Sequence, residues 1–189
     1  QRIAPDDASV PAPYHGHYYL SRYEEGLEYP IYCRRDGSAD APDQVLLDVN
    51  QVAAGQDFCS VRSVTVSPDS LLLAWAVDTV GRRKYTIQVT DLSTGDRLPD
   101  TVPEITGNLA WANDSRTLFY TKQDPETLRS YQVWRHRLGT ACENDELVYQ
   151  EDDPTFSVWV TKALSEKYLF IVAEQTLASE VRAIDADRP

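Results

Sequence analysis

The chain has no methionine in its 189 residues and only three cysteines, Cys33, Cys59 and Cys142. A translated chain begins with Met, so Gln1 is expected to be a processed terminus or a cut inside a longer protein. Three widely spaced cysteines without a C-x-x-C pair signal neither a zinc site nor a disulfide framework. Idle thiols in a reducing, cytoplasmic compartment are the expectation. No apolar run approaches the ~18–20 residues that span a bilayer, and the opening Gln1-Arg2-Ile3-Ala4-Pro5-Asp6-Asp7 lacks the pattern of a secretory leader. No membrane partner is expected. Basic residues are scarce as well: 18 Lys and Arg stand against 30 Asp and Glu, a net charge of −12. That balance argues against nucleic acid, which calls for a basic stripe. It suits cationic partners through long-range steering, although acidity that only keeps the chain soluble explains it equally well.

Catalytic signatures are missing too. There is no G-x-S-x-G nucleophile elbow, no P-loop, no G-x-G-x-x-G and no H-E-x-x-H. His15 and His17 stand two apart, which places them on one face of an extended segment. With no third ligand nearby, surface histidines are favoured over a metal site, and neither metal nor cofactor is expected. His136, between Arg135 and Arg137, reads as structural.

What is present is a repeat. Leu71-Leu72-Leu73-Ala74-Trp75-Ala76-Val77 follows the turn Ser67-Pro68-Asp69. Leu118-Phe119-Tyr120-Thr121 follows Ala112-Asn113-Asp114, and Leu169-Phe170-Ile171-Val172-Ala173 follows Leu164-Ser165-Glu166. From Leu73 the register returns 45 residues on at Leu118, and 51 further at Leu169. A period of about 40–50 residues with several strands in each unit is that of a β-propeller blade.

One unit shows the order. Val61–Val66 alternates as a half-buried strand. Leu71–Val77 is apolar throughout, as in a strand buried on both faces, and Trp75 is expected in the core. Lys84–Thr90 alternates again, and after the turn Ser93-Thr94-Gly95-Asp96 the segment Arg97–Val102 supplies a fourth, polar edge strand. The next unit repeats this with Asn108–Trp111, Thr117–Thr121, Tyr131–Arg137 and Glu146–Tyr149. A further unit starts at Phe156 and reaches Val181–Ile184. An earlier one spans Gly16–Val49, ending on Val45-Leu46-Leu47. The fold class is therefore all-β: a partial β-propeller of about four four-stranded antiparallel blades over residues 14–189, with residues 1–13 as a linker or strand entry. A β-sandwich also has strands every 8–12 residues; the longer period favours the propeller. No segment shows helical periodicity.

Several stretches resemble the oligopeptidase B (protease II) group of the prolyl oligopeptidase family. They are Tyr29-Pro30-Ile31-Tyr32-Cys33-Arg34-Arg35, Leu46-Leu47-Asp48-Val49-Asn50, Val77–Tyr85, Trp111–Ser115, Tyr131–Thr140 and Ser179-Glu180-Val181-Arg182. Tyr131–Thr140 is the most specific, and the resemblance runs from about Pro11 to Asp187. It implies a seven-bladed propeller paired with an α/β-hydrolase domain that carries a Ser-Asp-His triad and cleaves short peptides after Lys or Arg. The propeller covers the active site and excludes folded proteins. No catalytic residue of the family has a matching position here, so this chain alone is expected to be inactive. Its expected partners are the hydrolase domain and short basic peptides. The competing reading is a stand-alone interaction module.

In a propeller the turns between second and third strands share one face with the links between blades. That face collects Glu24, Glu25 and Glu28, then Asp57, Arg82 and Arg83, then Glu126 and Arg129, then Glu151, Asp152 and Asp153. Asp57, Arg82, Arg83, Glu151, Asp152 and Asp153 are the candidates for gating substrate or contacting a second domain, with Asp57 and Arg82 or Arg83 as a possible ion pair. Plain solvated turn charge is the alternative.

Overall fold

A computed structural model describes residues 7–189 of the chain. The first six residues of the segment expected as a linker lie outside the described residues. The chain divides into two compact units, one ending at Cys59 and one running from Ser60 to Pro189.

The first unit is one antiparallel sheet, β1 (Ala12–Tyr14), β2 (His17–Arg22), β3 (Ile31–Asp36) and β4 (Gln44–Asp48), in that spatial order. Ala8 also bridges Arg22. The unit's small core holds Leu20, Ile31 and Cys33. His15 and Gly16 make the two-residue turn between β1 and β2, with φ of +47° and +80°. Two left-handed residues are what such a hairpin turn requires, and Gly16 supplies one at no steric cost. His15 therefore lies in a turn and His17 in β2, so the two do not share a strand face as expected. After β4 comes a five-residue helix, α1 (Val49–Ala53), capped by Asp48, whose carboxylate accepts the Asn50 N–H at 2.9 Å. One turn is too short to leave helical periodicity in a sequence.

The second unit holds a seven-stranded and a three-stranded antiparallel sheet. The larger contains β5 (Ser60–Val66), β6 (Leu72–Asp78), β7 (Tyr85–Asp91), β8 (Arg97–Trp111), β9 (Thr117–Gln123), β10 (Ser130–Arg137) and β11 (Glu146–Gln150). The smaller contains β12 (Ser157–Lys162), β13 (Tyr168–Gln175) and β14 (Ala178–Asp185). The segments expected as two strands, Arg97–Val102 and Asn108–Trp111, form the single 15-residue strand β8. Its first part pairs with β7 through Ile105, and from Ile105 onward it pairs with β9. β8 thus closes one blade and opens the next. The polar start of β8 is paired on one side only, as an outer strand is.

The three recurring apolar runs are the second strands of successive blades. In β6, Leu73, Ala74, Trp75 and Ala76 are all buried, and in β9 Leu118 through Thr121 are buried. Leu118 and Tyr120 join one core with Ala74, Ala76, Ile87 and Val89. Phe119 joins a second with Val133, Val158, Val160, Leu169 and Ile171. Alternate residues of β9 thus serve two cores, which is why a strand with blades on both sides reads as continuously apolar. β13 has one buried face, and its burial alternates.

The turns after the first strands repeat in geometry as well as in text. Ser70, Ser115 and Glu166 occupy equivalent places, with φ of +63°, +54° and +60°. In the middle turn, Asp114 Oδ1 accepts the N–H groups of Arg116 (3.0 Å) and Thr117 (2.8 Å), and Oδ2 accepts the Thr117 hydroxyl at 2.8 Å. Burial pushes this carboxyl up, but these hydrogen bonds and Arg137 outweigh it and hold it below the ordinary range. A carboxyl lowered on folding contributes stability above about pH 4, and that contribution is lost as pH falls through the lower folded value. Asp114→Asn is expected to cost less than about 1 kcal/mol at neutral pH, since the side chain is exposed. It is also expected to flatten the loss of stability below about pH 4, as read from urea midpoints across pH; an unchanged acid limb would refute it.

A buried polar network ties β8 to the blade that follows. His136 on β10 is 1% exposed, its Nδ1 is 2.7 Å from Asp145 Oδ1, and its Nε2 is 3.3 Å from Asp100 Oδ1. The Tyr120 hydroxyl donates to Asp145 Oδ2 at 2.8 Å, and the Gly139 N–H donates to Asp100. Burial, then the hydrogen bond to Asp145 and its charge, keep the Tyr120 phenol protonated well beyond its usual range.

Candidate functional site

Two features of the second unit gather chemistry at a surface. One is its outer-turn face. Asp78, 2% exposed, organises the β6–β7 turn: Oδ1 accepts the N–H groups of Val80 (2.8 Å) and Gly81 (2.9 Å), and Oδ2 accepts that of Arg83 (2.7 Å). Arg82 and Arg83 are thereby held at an exposed turn, Arg83 with φ of +57°. The Arg83 carbonyl accepts from Gln123 Nε2 of the next blade at 2.8 Å. Arg129, in the β9–β10 turn, clamps the link to the last blade by donating to the carbonyls of Phe156 (2.8 Å), Asp153 (3.2 Å) and Glu151 (3.3 Å).

Along that link, Glu151 accepts the Tyr149 hydroxyl and, at 3.0 Å, the Asp153 N–H, which hold its carboxyl low. Asp152 accepts from Gln150 Nε2 at 2.8 Å. Asp153 caps the following turn through the Thr155 N–H (2.9 Å) and hydroxyl (2.7 Å), and its carboxyl is lowered by the same bonds. Arg82 and Arg83 thus share a face with Glu151, Asp152 and Asp153, through a chain of contacts from blade to blade. Asp57 is exposed and belongs to the first unit. Sequence reasoning placed Arg129 on this face but missed its role as the clamp of the link.

The other feature lies on the innermost strands and was not foreseen. β5 and β8 each carry a bulge at the same level. Arg62 pairs with Ala76 and Thr65 with Ala74, leaving Ser63 and Val64 opposite Trp75. Ile105 pairs with Lys122 and Leu109 with Tyr120, leaving Thr106, Gly107 and Asn108 opposite Thr121. Ser63 has φ of +49° and Gly107 of +87°, and the Ser63 hydroxyl donates to the Gly107 carbonyl at 2.6 Å. Bulges re-aim side chains and recur beside functional sites. Side chains also stitch in β12: Asn108 donates to the Val160 carbonyl (3.0 Å) and accepts its N–H (2.8 Å), while Ser130 donates to the Val158 carbonyl at 2.6 Å.

Between these strands lies an open cavity of about 440 Å³, whose lining includes Arg62, Ser63, Gly107, Asn108, Ser130 and Trp159. The Arg62 guanidinium lies over the Tyr85 ring, 5.2 Å from its centroid, and the Tyr85 hydroxyl is 3.0 Å from Ser60 Oγ. A Cβ on Gly107 would sit 3.0 Å from Arg62 Cδ and 3.0 Å from Tyr85 Cδ2. Gly107→Ala is therefore expected to cost about 1–3 kcal/mol, from a left-handed backbone combined with a tight contact. A urea midpoint equal to wild type would contradict this packing.

The whole chain, residues 1–189, matches the family described as prolyl oligopeptidase, N-terminal beta-propeller domain. It is 44% identical over 203 residues to dipeptidyl aminopeptidase BI of Pseudoxanthomonas mexicana, covering 100% of this chain and 28% of that protein. It is 36% identical over 195 residues to Protease 2 of Moraxella lacunata, again covering 100% of this chain and 28% of the relative. Among solved structures, oligopeptidase B from Leishmania major superimposes with a TM-score of 0.91 at 36% identity, over 99% of this chain and 27% of that one. The chain thus spans about 28% of the length of the curated relatives it matches.

Proposed function

The chain belongs to the prolyl oligopeptidase family as part of its N-terminal β-propeller, and from that premise we propose that the full-length protein is a serine oligopeptidase that cleaves short peptides after Lys or Arg. In this reading the propeller admits short chains to a separate hydrolase domain and keeps folded proteins out. The observation that carries it is the superposition on oligopeptidase B, which extends over nearly the whole chain. The acidic balance, 30 carboxylates against 18 cations, suits attraction of basic peptides.

A second reading rests on the 44% identity to a dipeptidyl aminopeptidase, against 36% to Protease 2. It has the enzyme release dipeptides from a free N-terminus. One assay separates the two: cleavage of a Lys-containing hexapeptide with a free and with an acetylated N-terminus. Equal cleavage after Lys supports the oligopeptidase, whereas loss of cleavage on acetylation supports the aminopeptidase. No cleavage of either peptide overturns both and favours a stand-alone interaction module.

The outer-turn charges fit a role in holding or gating the hydrolase domain through ion pairs that break on opening. Asp57, Arg82, Arg83, Glu151, Asp152 and Asp153 are the residues proposed for it. Exposed pairs contribute only about 0–1 kcal/mol to stability. Arg83→Ala is therefore expected to leave the melting temperature of the full-length protein nearly unchanged. Its kcat/KM is expected to shift about two- to fivefold at low salt, converging on wild type at high salt as screening removes the pair. Kinetics equal to wild type at both salt levels reduce Arg83 to surface charge.

A further inference from the structure

We propose that Arg62 is a carboxylate-binding residue, and that the inner-strand cavity seats an anionic group of a bound peptide, its C-terminal carboxylate or an acidic side chain. The inference deepens the peptidase reading and rests on it for the identity of the ligand as a peptide.

The first argument is a count of hydrogen-bonding capacity. The polar groups around the cavity are largely committed: Ser63 to the Gly107 carbonyl, Asn108 to both backbone groups of Val160, and Ser130 to Val158. No carboxylate lines the cavity. What remains is donor capacity. The Arg62 guanidinium has a ring contact with Tyr85 but no hydrogen bond or ion pair among the described residues, and the Trp159 indole N–H is likewise without an acceptor among them. A cavity with an unpaired guanidinium and no carboxylate in its lining is suited to an anion.

The second argument is preorganisation. The bulge at Ser63 and Val64 sets the course of β5 beside Arg62, the Tyr85 ring supports the guanidinium, and the bare Cα of Gly107 packs against both. A planar fork already resting on an aromatic face loses less freedom on binding and meets a carboxylate with two parallel hydrogen bonds. The volume, about 440 Å³, falls in the range of small-ligand pockets, roughly 300–1,000 Å³. The half-buried Trp159 side chain adds an apolar wall.

The test is calorimetric titration of the full-length protein with N-acetyl-Ala-Ala-Ala as the free acid, as its C-terminal amide, and with N-acetyl-Ala-Glu-Ala amide. These probes hold no basic residue and no free N-terminus, so binding is read apart from cleavage after Lys or Arg, which is assayed separately. The free acid is expected to bind about tenfold more tightly than the amide, the scale of one charge-assisted bidentate contact. Arg62→Gln is expected to bring the two within about twofold of each other, and Arg62→Lys to give an intermediate preference. If Arg62→Gln fails to fold, Arg62→Lys decides: a reduced acid-over-amide preference supports the proposal, and a preference equal to wild type overturns it. Recovery of tight binding by the Glu-containing amide assigns the site to acidic side chains as well as chain ends; failure to recover it restricts the site to chain ends. Equal binding of acid and amide to wild type, no binding of either, or a preference that survives the loss of Arg62 overturns the proposal.

Discussion

Trp75→Ala is expected to destabilise the propeller by about 3–5 kcal/mol, the range for truncating a large buried aromatic. Trp75 is 1% exposed in the middle of β6, between the fully buried Ala74 and Ala76. Its indole N–H reaches Thr90 Oγ1 at 3.5 Å, and the Arg97 guanidinium lies 5.1 Å from its ring. The truncation therefore removes more than apolar area. It leaves a cavity on the face of β6 opposite to Ala74 and Ala76, and it strips Arg97 of its aromatic support. Urea unfolding of the full-length protein, followed by a signal from the propeller, provides the measurement. A midpoint equal to wild type would mean that β6 does not carry the core.

His136→Ala is expected to cost about as much, roughly 3–5 kcal/mol, for a different reason. The ring stands between Asp100 and Asp145, whose side chains are 6% and 1% exposed. Removing it takes one partner from each carboxylate, leaving Asp145 with the Tyr120 hydroxyl and Asp100 with the Gly139 N–H, in a place that water reaches poorly. The penalty is that of buried acceptors left short of a hydrogen bond rather than of lost packing. His136→Leu restores volume alone, and adding Asp145→Asn also removes one charge, so the two variants together separate the causes. The double variant is expected to recover more of the loss than His136→Leu, and full recovery by His136→Leu alone would show that packing is what His136 supplies.

Much of this architecture was legible in the sequence because blades impose a period. The runs at Leu73, Leu118 and Leu169 fall on β6, β9 and β13, and the turns before them share a left-handed residue at Ser70, Ser115 and Glu166. The continuity of β8 across the gap expected between Val102 and Asn108 was not legible. Pro and Gly are strand punctuation, yet Pro103 lies within β8 and Gly107 sits at a bulge of a strand that continues. The outer-turn charges could be placed because turn positions follow from strand order. The inner cavity could not, because Arg62 differs from other surface arginines only through what its neighbours leave unpaired. An isolated Gly within a strand marks a bulge or a close backbone approach, but that signal could be read at Gly107 only once β8 was seen to be continuous. Gly107 is both.

β8 has a mechanical meaning. Most neighbouring leaves of such a fold are joined by a loop, and a loop permits a small relative rotation at little cost. Here two leaves are cut from one ribbon: Ile105 is hydrogen-bonded to β7 on one side and β9 on the other. Swinging them apart would mean tearing a ladder, not flexing a tether. Seven strands from β5 to β11 therefore form one continuous hydrogen-bonded sheet. Within this unit, the three-stranded sheet is joined instead by a link from Glu151 to Phe156, the segment that Arg129 fastens down.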